Sequence, residues 1–201
     1  MARNVERDQD VRKERCQQIL TAALELFAKQ GLSDTKISDI AKKAGMSHGL
    51  VYNYFPSKEE IYITLMEINL CAVKSAIEDV SSRPIRADEK LAALVERFHG
   101  MQCNDAVWHQ MFVDQFMASD SISESLKDSI KQKLEDNLLR IAGIIAEGQD
   151  AGLFIDEDPQ ELALLFFTFV NAKIVAQTRG ASFFTNKPFR ASIIRLFSNK
   201  C

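Results

Sequence analysis

Apolar residues recur at three- and four-residue spacing through Cys16, Ile19, Ala23, Leu26 and Phe27, which predicts a helix over 11–30 closed at Gly31. Residues 1–10 carry charge without pattern and are expected to be a disordered arm. A second pattern, Ile37, Ile40, Ala41 and Ala44, follows the cap residue Thr35 and stops after barely two turns at Gly45-Met46. Ser47 offers the next cap, and a short third helix is expected from about His48 to Phe55, where Pro56 ends it. Ser57 and Glu60 have capping-box spacing and open a long helix through Ile61, Leu65, Ile68, Ala72, Ile77 and Val80.

Beyond the break at Ser81–Pro84, helical patterns run over 88–103, 106–117 and about 121–149, the last with a seam of Leu134, Leu138, Ile141 and Ile145 and a stop at Gly152. Asp158-Pro159 starts another helix, because proline suits the first helical position, and Lys187-Pro188 starts the last, with Phe189, Ile193, Ile194 and Phe197. No stretch alternates with period two. The fold class is therefore all-α, with about nine helices. Pro159–Gln177 is apolar around most of its circumference, so it needs cover on more than one side.

The composition, 46% hydrophobic and 26% charged with 8 Gly and 4 Pro in 201 residues, is that of a helical globular protein. No apolar run approaches the roughly 18 residues of a membrane span, and the charged N-terminus is no secretory signal, so a cytoplasmic location without membrane contact is expected. Cys16, Cys71, Cys103 and Cys201 have no zinc-ligand spacing. His99 and Cys103 stand four apart, but two ligands do not make a site, so no metal and no cofactor are expected. Gly-rich phosphate loops and nucleophile motifs are absent, which argues against an enzyme. The net charge of −3 divides unevenly: residues 1–58 hold 10 Lys/Arg against 7 Asp/Glu, and residues 59–201 hold 15 against 21. A mildly basic head on an acidic body fits a DNA-binding head.

Two short helices joined at Gly45-Met46-Ser47 meet the needs of a helix-turn-helix, over about 35–54: the first crosses the DNA backbone and the second lies in the major groove. Val51 and Phe55 share one face of the second helix, which leaves Gly49, Leu50, Tyr52, Asn53 and Tyr54 outward. Gly49 permits close approach, Leu50 suits a thymine methyl, and Asn53 can pair with adenine. The tyrosine hydroxyls suit phosphate oxygens, as do Thr35, Lys36 and Ser47 near helix N-termini, Lys58 in the first turn of the fourth helix completes a phosphate clamp, and His48 joins the DNA-contact candidates.

The text I-L-x-A-A-L-E-L-F-A-x-x-G, then T-K-I-S-D-I-A-K-K-A-G-M-S-H-G-L-V-Y-N-Y-F-P-S-K-E-E-I-Y, within Ile19–Leu65, resembles the tetracycline-repressor-like (TetR/AcrR) regulators. Lys36 departs from the second threonine often found there. The resemblance implies a three-helix DNA-binding domain over 11–58 and a larger helical ligand-binding and dimerisation domain over 59–201. It implies double-stranded operator DNA as partner, a homodimer through helices at about 158–180 and 187–199, and a repressor released by a small-molecule effector.

Residues for the effector cavity are polar or aromatic positions inside apolar helices: His99, Cys103, Trp108, Phe112, Phe116, Asn137, Phe167 and Asn171, with Gln102, His109 and Met117 nearby. The group Trp108, Phe112 and Phe116 suits an apolar or aromatic effector. The rival reading is a DNA-binding protein of the same fold whose C-terminal body contacts another protein.

Overall fold

The computed structural model describes residues 2–102, 115–178 and 189–199, with side chains described from Arg7 onward except those of residues 99, 101, 102, 174, 175, 177 and 178. The named helices are α1 (Ala2–Asp34), α2 (Ile37–Lys43), α3 (His48–Tyr52), α4 (Lys58–Ser81), α5 (Ala87–Gln102), α6 (Glu124–Asp150), α7 (Pro159–Thr178) and α8 (Phe189–Phe197). Among the described residues helix is the only extended regular element, and one isolated antiparallel bridge joins Phe154 to Ser198.

The chain forms two compact units, Met1–Ile68 with Met111–Glu124, and Asn69–Gln110 with Ser125–Cys201. The division thus falls inside α4, not ahead of it at 58/59. Its first turns bury Ile61, Tyr62 and Leu65 in the first unit, and its later turns bury Val73, Ile77 and Val80 in the second.

In the first unit, α1 buries Ile19, Ala23 and Phe27 of the stripe that its periodicity predicts, with Leu20 beside them and Cys16 and Leu26 half-buried, and packs on α2, which packs on α3. Phe27 meets Tyr62 edge-on with ring centroids 5.0 Å apart, and Tyr62 stacks on Phe116 at 6.2 Å. The arm expected over residues 1–10 is instead helical from Ala2. Residues 7–14 are all exposed there, so these turns need no apolar stripe and continue on the helix-compatible propensities of their Arg, Gln, Lys and Glu residues. The helix is interrupted at Gly31, at φ 81° and ψ 171°.

The second helix is closed at its C-terminus by a Schellman arrangement. The Met46 N–H donates to the Ala41 carbonyl at 2.9 Å and the Gly45 N–H to that of Lys42 at 3.3 Å, with Gly45 at φ 67°, where a side chain would be strained. Ser47 then caps α3 by accepting from the Leu50 N–H at 3.3 Å. Ser57 caps α4 in the same way, accepting from the Glu60 N–H at 3.1 Å.

The second unit has one contiguous core in which α4, α5, α6, α7 and α8 contribute Ile77, Leu91, Leu94, Ile141, Ile145, Leu162, Phe166, Val170 and Ile193, among others. The sixth helix ends as α2 does: Leu153 N–H donates to Gly148 O at 2.8 Å and Gly152 N–H to Gln149 O at 2.9 Å. Phe154 follows, fully buried. Ile155 and Asn199 N–H groups pair with the Phe197 and Leu153 carbonyls, both at 2.9 Å, and so tie the end of α8 to this link. Asp158 caps α7, its Oδ1 accepting from the Gln160 and Glu161 N–H groups at 2.7 and 3.0 Å.

Lys90 of α5 is buried and donates to both oxygens of Glu147 on α6, at 2.9 and 2.8 Å, which gives its charge a partner inside the unit. The seventh helix presents two apolar surfaces. Leu162, Ala163, Phe166 and Val170 face the core, while Leu164 (53% exposed), Leu165 (48%) and Phe169 (44%) face outward.

Candidate nucleic-acid interface

The turn at Gly45 joins α2 to α3, which pack on each other, and the burial pattern decides which face of α3 is free. Val51 and Phe55 are buried, so Gly49, Tyr52 and Asn53 are exposed and Leu50 and Tyr54 half-buried. The helix is shorter than periodicity predicts. It ends at Tyr52, and Asn53 is its C-cap, its N–H donating to the Leu50 carbonyl. Two further backbone bonds, from Tyr54 and Phe55 to the Val51 carbonyl, both at 3.0 Å, continue the turn past that end.

The exposed side chains are also ordered against one another. The His48 and Tyr52 rings meet edge-on at 5.0 Å, which holds the tyrosine across one turn of α3. A methyl group added at Gly49 would meet nothing within 4 Å, so the fold itself does not require glycine there. A helical glycine costs roughly 1 kcal/mol relative to alanine.

Two residues expected to meet phosphate do other work. Thr35 is fully buried, and its hydroxyl donates to the Gly31 carbonyl at 2.6 Å. It closes the end of α1 and does not cap α2. The N-cap of α2 is Lys36, extended at φ −111° and ψ 148°, exposed, and with no side-chain cap bond. Lys58 donates to the carbonyls of Leu32, Ser33 and Thr35 at 2.7, 2.9 and 3.0 Å. Those three bonds use the three donors of its ammonium, so it clamps the α1–α2 link to α4. Gln115 supports the same link by accepting from the Leu32 N–H at 3.2 Å.

Sequence reasoning missed Arg12. Its guanidinium carbon lies 5.3 Å from the centroid of the Tyr54 ring, and no sequence pattern relates two residues 42 positions apart.

The described effector candidates fall in both units. Phe116 is buried in the first unit against Tyr62. Phe167 lies edge-on to Phe98 at 6.2 Å in the second, and Asn171 is half-buried on α7. Asn137 is buried on α6 and donates to the Leu70 carbonyl at 3.3 Å. It lines a groove of about 160 Å³ with Leu70, Cys71, Lys74, Lys133, Asp136 and Arg140. The side chain of His99, and Cys103, Trp108 and Phe112 entirely, lie outside the described residues. So do Gln102, as a side chain, and His109.

Residues 19–65 match the family model for bacterial regulatory proteins of the tetR family. The chain is 30% identical over 156 residues to the HTH-type transcriptional regulator RutR of Escherichia coli O157:H7, covering 74% of this chain and 68% of that protein. The chain belongs to the tetR family.

Another relative of this tetR-family protein is the fatty acid metabolism regulator protein of Bacillus subtilis, 29% identical over 135 residues, which are 67% of this chain and 68% of that one. The fold agrees with that of a solved regulator, FadR from Bacillus subtilis in complex with stearoyl-CoA. The TM-score is 0.69 at 24% identity, over 90% of this chain and 96% of the other. The tetR-family match spans α2 and α3 whole, so this protein is a DNA-binding transcriptional regulator with a helix-turn-helix reader. None of its helices, among the described residues, is long and apolar enough to cross a membrane.

Proposed function

We propose that the protein is a homodimeric repressor that reads operator DNA with Lys36, Ser47, His48, Gly49, Leu50, Tyr52, Asn53 and Tyr54, and that a small molecule bound in its second unit releases it. The observation that carries the reading is the outward face of α3, where a glycine, a tyrosine and an asparagine stand exposed in place of the Lys and Glu of a solvated helix. Asn53 pairs with a base edge, and the tyrosine hydroxyls and Lys36 bind phosphate oxygens.

The dimer forms through α7 and α8. Leu164, Leu165 and Phe169 are exposed on one, and Leu196, 61% exposed, on the other, which is the kind of apolar surface that a second copy covers. Two heads related by that dimer reach successive major grooves roughly 34 Å apart, and the effector acts by changing their spacing. The first effector class to test is a long-chain acyl thioester, because a relative is a fatty acid metabolism regulator and a solved neighbour holds stearoyl-CoA.

The test is selection of duplexes by the protein from a random-sequence pool, then titration of the winning duplex with wild type, Tyr52→Ala and Asn53→Ala. Sequence-selective binding that weakens about tenfold in each variant, with melting temperature kept, is expected. Addition of stearoyl-CoA should then release the bound duplex. Selective binding that ignores both substitutions would remove the reading residues from this assignment.

A further inference from the structure

The first helix reaches the reading surface well ahead of the part of the chain that defines the family. Arg12 lies seven residues before Ile19, where the family match begins, on turns whose side chains are all exposed. Its guanidinium rests over the ring of Tyr54, the residue that follows Asn53 at the end of the reading surface. Among the described residues Arg12 makes no ion pair, although Asp8 stands one turn back on the same helix, where a surface pair would be available.

We infer that Arg12 is a DNA-backbone contact, a phosphate clamp supplied by α1 and held in place by Tyr54. The chemistry follows from the shape of the guanidinium. The five N–H donors of the group lie in its plane and point outward from its edge, and the face of a tyrosine ring offers them no oxygen acceptor. A guanidinium held beside a ring and paired with no carboxylate therefore keeps donors for the two non-bridging oxygens of a phosphodiester. Holding it there before DNA arrives removes part of the rotamer entropy that a long side chain otherwise loses on binding. The tyrosine thus has two functions, a hydroxyl available to the backbone and a ring that positions its neighbour. A phosphate contact carries no base information, so Arg12 sets affinity and register, and leaves sequence preference to α3.

This inference rests on the reading of α3 as the DNA reader, and one experiment separates the two. The duplex selected by wild type from a random pool is titrated from about 50 to 200 mM salt with wild type, Arg12→Ala and Arg12→Lys, and each protein is also melted without DNA. Arg12→Ala is expected to bind about tenfold more weakly at the lowest salt. Its slope of log affinity against log salt should be shallower by about 0.9 for each phosphate lost, or about 1.8 for a dimer with both heads engaged. Its preference among selected sequences and its melting temperature should stay as in wild type. Arg12→Lys should keep the wild-type slope, because the charge remains, and lose only part of the affinity, because the fork is gone. An unchanged slope in Arg12→Ala overturns the inference. A fall in melting temperature and affinity together, at unchanged slope, overturns it too and makes Arg12 a packing residue for Tyr54. Failure of wild type to select any duplex would overturn the DNA-reading assignment itself.

Discussion

Gly49 in α3 and Gly148 in α6 both sit inside helices, where glycine is unfavourable, yet their surroundings are opposite. A methyl group at Gly148 would run into the ring of the buried Phe154 and touch Ala87 Cβ at 3.0 Å, whereas at Gly49 it would meet nothing. One glycine is a condition of the scaffold, and the other is unused by it. The comparison separates a glycine that the packing requires from one that it leaves free to change. The same test divides the two Schellman turns. The turn at Gly152 leads straight to buried Phe154, and the turn at Gly45 leads to the exposed reading face.

The largest effect should come from filling the scaffold glycine. Gly148→Ala is expected to destabilise the protein by about 3 kcal/mol, since Phe154 is enclosed by core and cannot step aside. For a chain of this size that is a fall of roughly 10 °C in melting temperature. A melt of Gly148→Ala within a degree or two of wild type would mean that the α6–α7 link can move, and would void the contrast with Gly49.

Next in size is the pair Lys58 and Lys36, which sequence reasoning treats alike and the structure does not. Lys58→Ala removes three charge-assisted bonds to carbonyls and is expected to cost about 2 kcal/mol in stability, with DNA affinity falling while its salt slope stays put. Lys36→Ala, at an exposed residue with no side-chain cap bond, should leave the melt unchanged and make the salt slope shallower. Thermal melts and salt titrations of the two variants side by side decide between these assignments, and an equal loss of slope in both would return Lys58 to the phosphate set.

Much of the head was legible because its punctuation is local. Gly45, Ser47, Pro56 and Ser57 act within a few residues of themselves, and the Val51–Phe55 spacing alone says which face of α3 is buried. Thr35 was misread for a physical reason: its hydroxyl can cap the helix ahead or bond back to the one behind, and only the tertiary burial of the link settles which. Lys58 and Arg12 were beyond reach because their partners stand 23 to 42 residues away, and a long flexible side chain carries no periodicity that reports where its tip goes. In α7 the apolar circumference was legible, and the exposed half of it at Leu164, Leu165 and Phe169 matches the expectation that one fold core could not cover it all.

A smaller effect, on binding only, belongs to the other member of the opening pair. Gly49→Ala is expected to melt no lower than wild type, and up to about 1 kcal/mol more stable, since alanine is the better helix former and the added methyl has room. Its affinity for the selected duplex should nevertheless fall about tenfold, because the methyl stands where sugar or phosphate must come close. A variant that gains stability and keeps full affinity would show that the free side of α3 at this position faces water in the complex too.

The smallest effect should be seen at Lys173, at the far end of the Leu165–Phe169 stripe of α7, with its ammonium 4.4 Å from the centroid of the Phe189 ring. Desolvation by burial holds its pKa below the ordinary 10.5. In the folded protein the charged form is disfavoured, and below the folded pKa that penalty is constant. As pH rises between the folded pKa and 10.5, the folded protein has shed the proton that the unfolded chain still binds, so stability rises with pH in that window. Lys173→Met removes the penalty along with the cation–π contact. The measurement is the difference in melting temperature between wild type and Lys173→Met across the alkaline range just below 10.5, which cancels the titration of every other group. The difference should move in favour of wild type as pH climbs. A difference that stays flat would place the ammonium in water, and with it would go the view that this end of α7 is already partly desolvated before a second copy covers it.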